Sequence, residues 1–373
     1  MDHEREQNAI LVQSVPGQTS AVDLARQAAA GERPRKDYVE LARMLGAEVL
    51  DTHYMSERAS NLARAVSRRR GLPAGQIAEA FLKQRDFRHI IAWSDRLGLP
   101  LALLLKLTRG RRDLIMFAQW TSRAKKAVFL RPLRADTHVR AMLYNSRSQM
   151  EDAAVRLGVP RAKLHHEPIP VDSRFWSPTG ETVNDVICGV GVEGRDYPTL
   201  VEAVRGLDVK VELGIASPTI AGIAAARATG LGDGEVPANI RLSSPSMLEL
   251  RSLYARSRFV VLPLLDRDYE SGSTVVTEAL SMGKAVIVTR TRGQRDLIRD
   301  REHGLQIPPN DPKALRMAIE HLTDHPEEAE RMGRAGRALV EERHTLEKFV
   351  ARIAALTLGS DPIGIDQHAA RSI

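Results

Sequence analysis

The stretch RFVVLPLLDRDYESGSTVVTEALSMGKAVIVT, residues 258–289, carries the reading of the whole chain. Its apolar runs Arg258–Pro263 and Ala285–Thr289 have strand length, and the periodic segment Thr274–Met282 between them reads as a helix. Strand, helix and strand in that order form a crossover unit, which joins parallel strands. The loop before the helix ends in Glu270-Ser271-Gly272-Ser273-Thr274. Small residues there let backbone N–H groups approach an anion, and the helix dipole favours one. Gly272, Ser273 and Thr274 are therefore candidates for holding a phosphate or diphosphate. Glu270 in the loop can face a cleft and accept hydrogen bonds from hydroxyls. Glu278 inside the helix can point to the same mouth and hold a diol. Both acids also have ordinary structural readings, Glu270 as a helix N-terminal acid and Glu278 as part of a solvated face.

The same alternation continues on both sides. Downstream come a short helix at Arg292–Arg299, a strand at Gly304–Ile307, a helix at Asp311–Thr323, a charged helical stretch at Pro326–Arg343 and a last helix at Thr345–Leu356. Upstream, Asp185–Val190 and Val209–Leu213 read as strands, with helices at Tyr197–Val204, Ala221–Ala228 and Ser246–Ser257. The segment Pro168–Asn184 is rich in proline and polar residues and reads as a linker. Before it the alternation runs again. Strands fall at Ala9–Ser14, Ala47–Asp51, Phe87–Trp93, Leu114–Ala118, Ala141–Asn145 and Leu164–Pro168. Helices fall at Asp37–Leu45, Ala59–Arg70, Gly98–Leu107, Lys125–Leu133 and Gln149–Leu157. The fold class is α/β, with two doubly wound domains facing each other across a cleft. The expected boundaries are 1–170 for the first domain, 171–184 for the linker and 185–358 for the second domain. The tail, 359–373, reads as disordered. The last helix is expected to cross back to the first domain.

Composition narrows the classes. The chain has 373 residues, 43% hydrophobic and 27% charged, as expected of a globular protein with two cores. Its single cysteine, Cys188, excludes an intrachain disulfide and a cysteine metal cluster, and reads as a buried small hydrophobe. Neither a membrane-spanning run nor a signal peptide is visible, so a cytoplasmic location is expected. Charge is uneven: residues 1–180 hold 30 Lys and Arg against 19 Asp and Glu, while residues 181–373 hold 24 against 28. The first half is therefore +11 and the second −4, which sum to the net +7. A basic first half points to an anionic partner. Aromatics make up only 4%, which speaks against single-strand nucleic-acid binding by stacking and ranks nucleic acid last among the partners.

Residues 270–280, ESGSTVVTEAL, resemble the E-x7-E element of family 4 glycosyltransferases, which have the GT-B fold of two Rossmann-like domains. Met282–Thr289 with Gly293, Gly304–Pro309 with Asp311, and Arg331–Arg337 are similar to later elements of that family. Ser146 with Gln149, Leu157–Pro160, and Val171-Asp172 with Phe175-Trp176 resemble the end of its acceptor domain. Ile187–Ala203 resembles the start of its donor domain. The resemblance is dense from about Asn145 to Arg343 and thin before it. It implies a retaining, metal-independent sugar transfer from a nucleotide-diphosphate sugar to an acceptor hydroxyl, with no further cofactor. It implies that Glu270 contacts the donor sugar as the catalytic-site acid, that Glu278 holds the ribose hydroxyls, and that Gly272, Ser273 and Thr274 bind the diphosphate or sugar.

Two positions depart from the family pattern. Val192 stands where many members carry an arginine after the first donor-domain strand, which leaves Arg195 as the candidate cation for the diphosphate. After Leu114–Phe117, where a histidine often faces the sugar, stand Ala118-Gln119-Trp120, so Gln119 is a candidate for a sugar hydroxyl. Gly17, after the first strand, and Asp95, after the third, are candidates for the acceptor side, each with a turn or cap reading beside it. His165-His166-Glu167 looks like a metal cluster, but adjacent strand residues point to opposite faces, so no metal site is expected. The acceptor is a small molecule or a lipid-linked one. For the latter, the basic helices Ala59–Arg70 and Lys125–Arg134 would contact an anionic membrane surface. Rival readings are a sugar-nucleotide epimerase or hydrolase on the same fold, and a nonenzymatic protein with a decayed transferase site.

Overall fold

Two parallel sheets organise the chain in the computed structural model, which describes residues 7–11, 19–110, 113–118, 121, 124–215, 237–267, 269–293 and 297–359. The first sheet contains β1 (Gln7–Leu11), β2 (Glu48–Leu50), β3 (Phe87–Ala92), β4 (Leu114–Phe117), β5 (Val139–Tyr144) and β6 (Leu164–His166). Its order is β2-β1-β3-β4-β5-β6, with every neighbouring pair parallel. The second contains β7 (Val186–Val190), β8 (Lys210–Gly214), β9 (Ile240–Ser243), β10 (Val260–Leu262), β11 (Val286–Thr289) and β12 (Gly304–Ile307). Its order is β12-β11-β10-β7-β8-β9, again all parallel. The strand order of this sheet reverses between β7 and β10, and ligands of such sheets bind in the crevice at that switch point.

The residues explain the architecture. Val260, Val261 and Leu262 are all fully buried, because helices cover both faces of the second sheet. The helix Asp37–Leu45 closes at Gly46, whose φ of 60° is the left-handed cap that glycine favours. Met247–Arg256 opens with a capping box in which Ser246 and Glu249 exchange hydrogen bonds. On one face of the first sheet, Ile91, Ile115 and Leu143 pack against Leu41 from Asp37–Leu45. Phe349 and Ile353 of the last helix, Leu346–Leu358, join the same cluster. That helix follows the second sheet in sequence yet packs on the first.

The two crossings between the sheets run side by side. Val171 N–H donates to His344 O at 2.8 Å and Leu346 N–H donates to Val171 O at 3.0 Å. Arg35 locks this strap to the first domain. Its backbone N–H and its Nε donate to Asp172 Oδ2 at 2.8 and 3.1 Å, and its Nη2 reaches Glu347 at 2.9 Å. Burial acts to raise the Asp172 carboxyl, but the Arg35 hydrogen bonds outweigh it and hold the group below its ordinary value.

Some elements differ from the sequence reading. Helices at Ala21–Ala29, Thr52–Glu57 and Leu72–Leu82 occupy stretches that the sequence pattern assigns to no element. The described residues of Arg292–Arg299 are turns and bends rather than helix, with Gly293 pressed against the backbone of Tyr269. Asp95 begins a helix, Asp95–Leu107, that starts three residues before the expected Gly98. The expected helix at 221–228 and the tail from 360 lie outside the described residues. No described helix is long and apolar enough to cross a membrane.

Removing the strap's anion leaves the Arg35 donors without their main acceptor. Asp172→Ala is expected to lower unfolding stability by about 2 kcal/mol, read as a lower urea midpoint.

Candidate functional site

The C-terminal ends of the two sheets face one another. Between them Ala118, Asn145 and Gln149 stand opposite Glu270, Gly272 and Thr274 around a cavity of about 190 Å³. Gly272 caps the helix Ser273–Ser281 with a φ of 78°. A Cβ there would lie 2.8 Å from Leu262 Cδ2 and 3.3 Å from Arg195 Nη1, so the position requires glycine. Ser273 lines the cavity. It is 3% exposed, and its Oγ has no hydrogen-bond partner among the described residues. The first turn of a helix, with its unpaired N–H groups, thus opens on a cavity shared by both domains.

Arg195 sits behind this turn. It is 7% exposed. Its Nε donates to Val190 O at 2.8 Å and its Nη1 to Glu193 O at 2.9 Å. A Cβ on Gly191 would fall 2.6 Å from its Nη2. The guanidinium is therefore wedged between the loops that follow β7 and β10. Hydrogen bonds from Asp196 N–H to Pro263 O and from Leu265 N–H to Gly194 O, both 3.0 Å, tie those loops together. Burial lowers the Arg195 pKa, but a guanidinium stays charged in proteins. Val192 is buried in the core of the second domain.

Glu278 is half-buried on the same helix. Tyr254 Oη donates to its Oε2 at 3.1 Å. Burial pushes the carboxyl up to about 7, against the Tyr254 hydrogen bond and the positive charges of Lys36 and Arg195. Lys36 belongs to the first domain, so the charge on Glu278 is felt across the cleft.

The Glu270 loop is braced by side chains and backbone that the sequence did not single out for this role. Arg292 donates from its backbone N–H and its Nε to the two Asp266 carboxylate oxygens, at 2.9 and 3.0 Å. Gly293 N–H donates to Arg267 O at 2.9 Å. A Cβ on Gly293 would lie 2.3 Å from Tyr269 O. From the opposite domain, Ser146 Oγ donates to Gly293 O at 3.3 Å. Gly293 was visible as a motif residue, but the pair Asp266 and Arg292 carries no sequence signal.

The structure places the remaining candidates apart from this cavity or leaves them undescribed. Asp95 is 3% exposed and accepts from Lys126 Nζ at 2.8 and 2.9 Å, so its carboxylate is engaged in an internal ion pair. Gly17 and Gln119 lie outside the described residues. His166 donates to Asn145 O, and Glu167 pairs with Arg352 at 2.8 Å. Among the described residues no three His, Cys, Asp or Glu side chains group to hold a metal ion. Cys188 is fully buried, and burial pushes its thiol up to about 12.

The raised Glu278 carboxyl fixes the sign of a pH effect. Its native pKa lies above the unfolded value, so the unfolded chain ionises first as pH rises from about 4.5 to 7, and stability falls over that window. Glu278→Gln is expected to raise the Tm of the ligand-free protein at pH 8 by roughly 2–4 °C, the response to about 1 kcal/mol. The gain should shrink steadily below about pH 7 and vanish at about pH 3.5, where both states of the wild type are protonated.

Residues 235–339 match the family model described as glycosyl transferases group 1. The matched stretch contains Glu270, Gly272, Ser273, Thr274 and Glu278. No curated protein matches the sequence. Among solved structures, the chain resembles the Anabaena protein Alr3699/HepE in complex with UDP and glucose, at 14% identity and a TM-score of 0.64. That match covers 95% of this chain and 100% of the other. It also resembles sucrose-phosphate synthase from Thermosynechococcus elongatus, at 16% identity and a TM-score of 0.66, covering 95% and 99%. A glycosyltransferase from Rickettsia africae is similar at 14% identity and a TM-score of 0.64, covering 95% and 100%. The fold is that of the GT-B glycosyltransferases.

Proposed function

We propose that this protein is a retaining glycosyltransferase of family 4 type that moves a sugar from a nucleotide-diphosphate sugar to an acceptor hydroxyl without a metal. The observation that carries the reading is the helix turn Gly272-Ser273-Thr274, opening beside Glu270 on a cavity lined by both domains. In this reading the N–H groups of that turn and the Arg195 charge receive the diphosphate or the sugar. Glu278, steadied by Tyr254, accepts from the ribose hydroxyls, and Glu270 contacts the donor sugar. As the bond from the anomeric carbon to the phosphate breaks, negative charge grows on the leaving diphosphate. Preorganised donors stabilise that charge. The acceptor hydroxyl attacks from the same face, and its proton passes to the leaving phosphate oxygen. The new glycosidic bond then has the donor's anomeric configuration.

The Anabaena relative was solved with UDP and with UDP-glucose, which places uridine first among the bases to test. The basic first domain fits an anionic acceptor. Such an acceptor is either a small molecule or a lipid-linked one, reached by a cytoplasmic protein at an anionic membrane surface. Arg68, Arg69 and Arg70 end the helix Asn61–Arg70 that would meet that surface.

Thermal shift with UDP, GDP, ADP and dTDP tests the donor site. One nucleotide at about a hundred times its Kd should stabilise the protein by roughly 2.7 kcal/mol, and Glu278→Ala should lose the shift. A folded protein that responds to none of the four would overturn the donor assignment and favour a nonenzymatic role. A nucleotide-sugar altered without any acceptor would favour an epimerase or hydrolase.

A further inference from the structure

On the hinge side of Glu270 the cleft opens into a second cavity of about 190 Å³. It shares Asn145, Ser146, Ile169 and Glu270 with the first. The rest of its titratable lining is basic: Arg147, His166, Arg343 and His344. Among the described residues, Glu270 is its one carboxylate.

The state of each group follows from its partner. Arg147 is the exposed first residue of the helix Arg147–Val155 and pairs with no carboxylate among the described residues. Arg343 Nε lies 3.0 Å from Glu342 Oε1, but both side chains are well exposed, at 40% and 58%. A solvated pair of that kind contributes little and yields readily to a better anion. His344 Nδ1 lies 3.0 Å from Ile169 O and His166 Nε2 lies 3.0 Å from Asn145 O. A carbonyl oxygen can only accept, so each of those nitrogens carries its proton. Burial lowers the His344 pKa, which keeps that ring neutral and leaves its Nε2 as an acceptor. The cavity thus combines two guanidinium groups with a neutral imidazole, the Asn145 amide and the hydroxyls of Ser146 and Ser148. Guanidinium forks suit carboxylate and phosphate oxygens, and the neutral groups suit sugar hydroxyls.

We propose that this hinge-side cavity binds a sugar ring bearing a carboxylate or phosphate, held by Arg147 and Arg343 beside Glu270. The inference rests on the glycosyltransferase reading above. The charged ring has two sources: a donor whose sugar is a uronic acid, or an acceptor that is a sugar phosphate.

Calorimetry separates the two sources. UDP-glucuronate is compared with UDP-glucose, and glucose 6-phosphate with glucose, the second pair with and without UDP. The expected result is a preference of about tenfold for the charged member of one pair. The double variant Arg147→Ala/Arg343→Ala should abolish that preference while UDP itself binds as before. Preference in the first pair assigns the cavity to the donor sugar, and preference in the second assigns it to the acceptor. Equal binding within both pairs, or a preference that survives in the double variant, overturns the proposal. Failure of UDP to bind is a separate result that bears on the donor reading. The comparison of glucose 6-phosphate with glucose in the absence of nucleotide still reports on the cavity in that case.

Discussion

A buried guanidinium between two glycines holds the site together. Arg195 fills the space that a side chain on Gly191 or Gly272 would occupy. It binds the carbonyls of its own loop, and it stands where the strand order of the second sheet reverses. An unpaired buried charge is costly; the carbonyl oxygens of Val190 and Glu193 offset part of that cost, while the positive end of the neighbouring helix adds to it, so the pair favours an anion in front of it. The loops after β7 and β10 can therefore approach closely enough to exchange backbone hydrogen bonds. The helix Ser273–Ser281 is thereby aimed at the first domain with a fixed positive charge behind its N-terminus. A cation held this way needs no rearrangement when an anion arrives, which is what makes preorganised electrostatics effective.

The first domain supplies the other wall, and the strap sets its position. Linker and C-terminal crossing pair through Val171, His344 and Leu346, and Arg35 anchors both through Asp172 and Glu347. The last helix then packs onto the first sheet. Any relative movement of the domains must bend at this strap. Ser146, reaching from the first domain to Gly293 O, would carry such movement to the braced Glu270 loop. Closure and the placement of Glu270 are in this way connected through a single short loop.

Much of this was legible in the sequence, for definite reasons. β10 and β11 are buried on both faces, so they appear as unbroken apolar runs. The small residues before Val275 announce a helix whose first turn opens on the cavity between the domains. What escaped was set by partners far away along the chain. Arg35 and Asp172 are 137 residues apart, and Asp266 and Arg292 are 26 apart. Asp95 looked like a cleft residue because it follows a strand, but Lys126, 31 residues on, claims its carboxylate. Gly71, Pro73 and Gly75 interrupt the helical pattern of Leu72–Leu82, so the sequence pattern alone does not announce that helix. In the structure Pro73 sits in the first helical turn, where its missing N–H costs nothing. Gly75 is needed because a Cβ there would lie 2.6 Å from Ser67 Cβ on the neighbouring helix. Turn residues and helix-start residues are the same residues, and only packing tells them apart.

A nucleoside diphosphate bound where the loops after β7 and β10 meet the helix Ser273–Ser281 would shield the backbone of both. Amide hydrogen exchange, with and without the nucleoside diphosphate that binds best, reads that location directly. Slower exchange is expected in peptides covering residues 190–196 and 270–282, with at most minor change at the outer strands β9 and β2. Protection confined to other parts of the chain, with those two peptides unchanged, would contradict binding there.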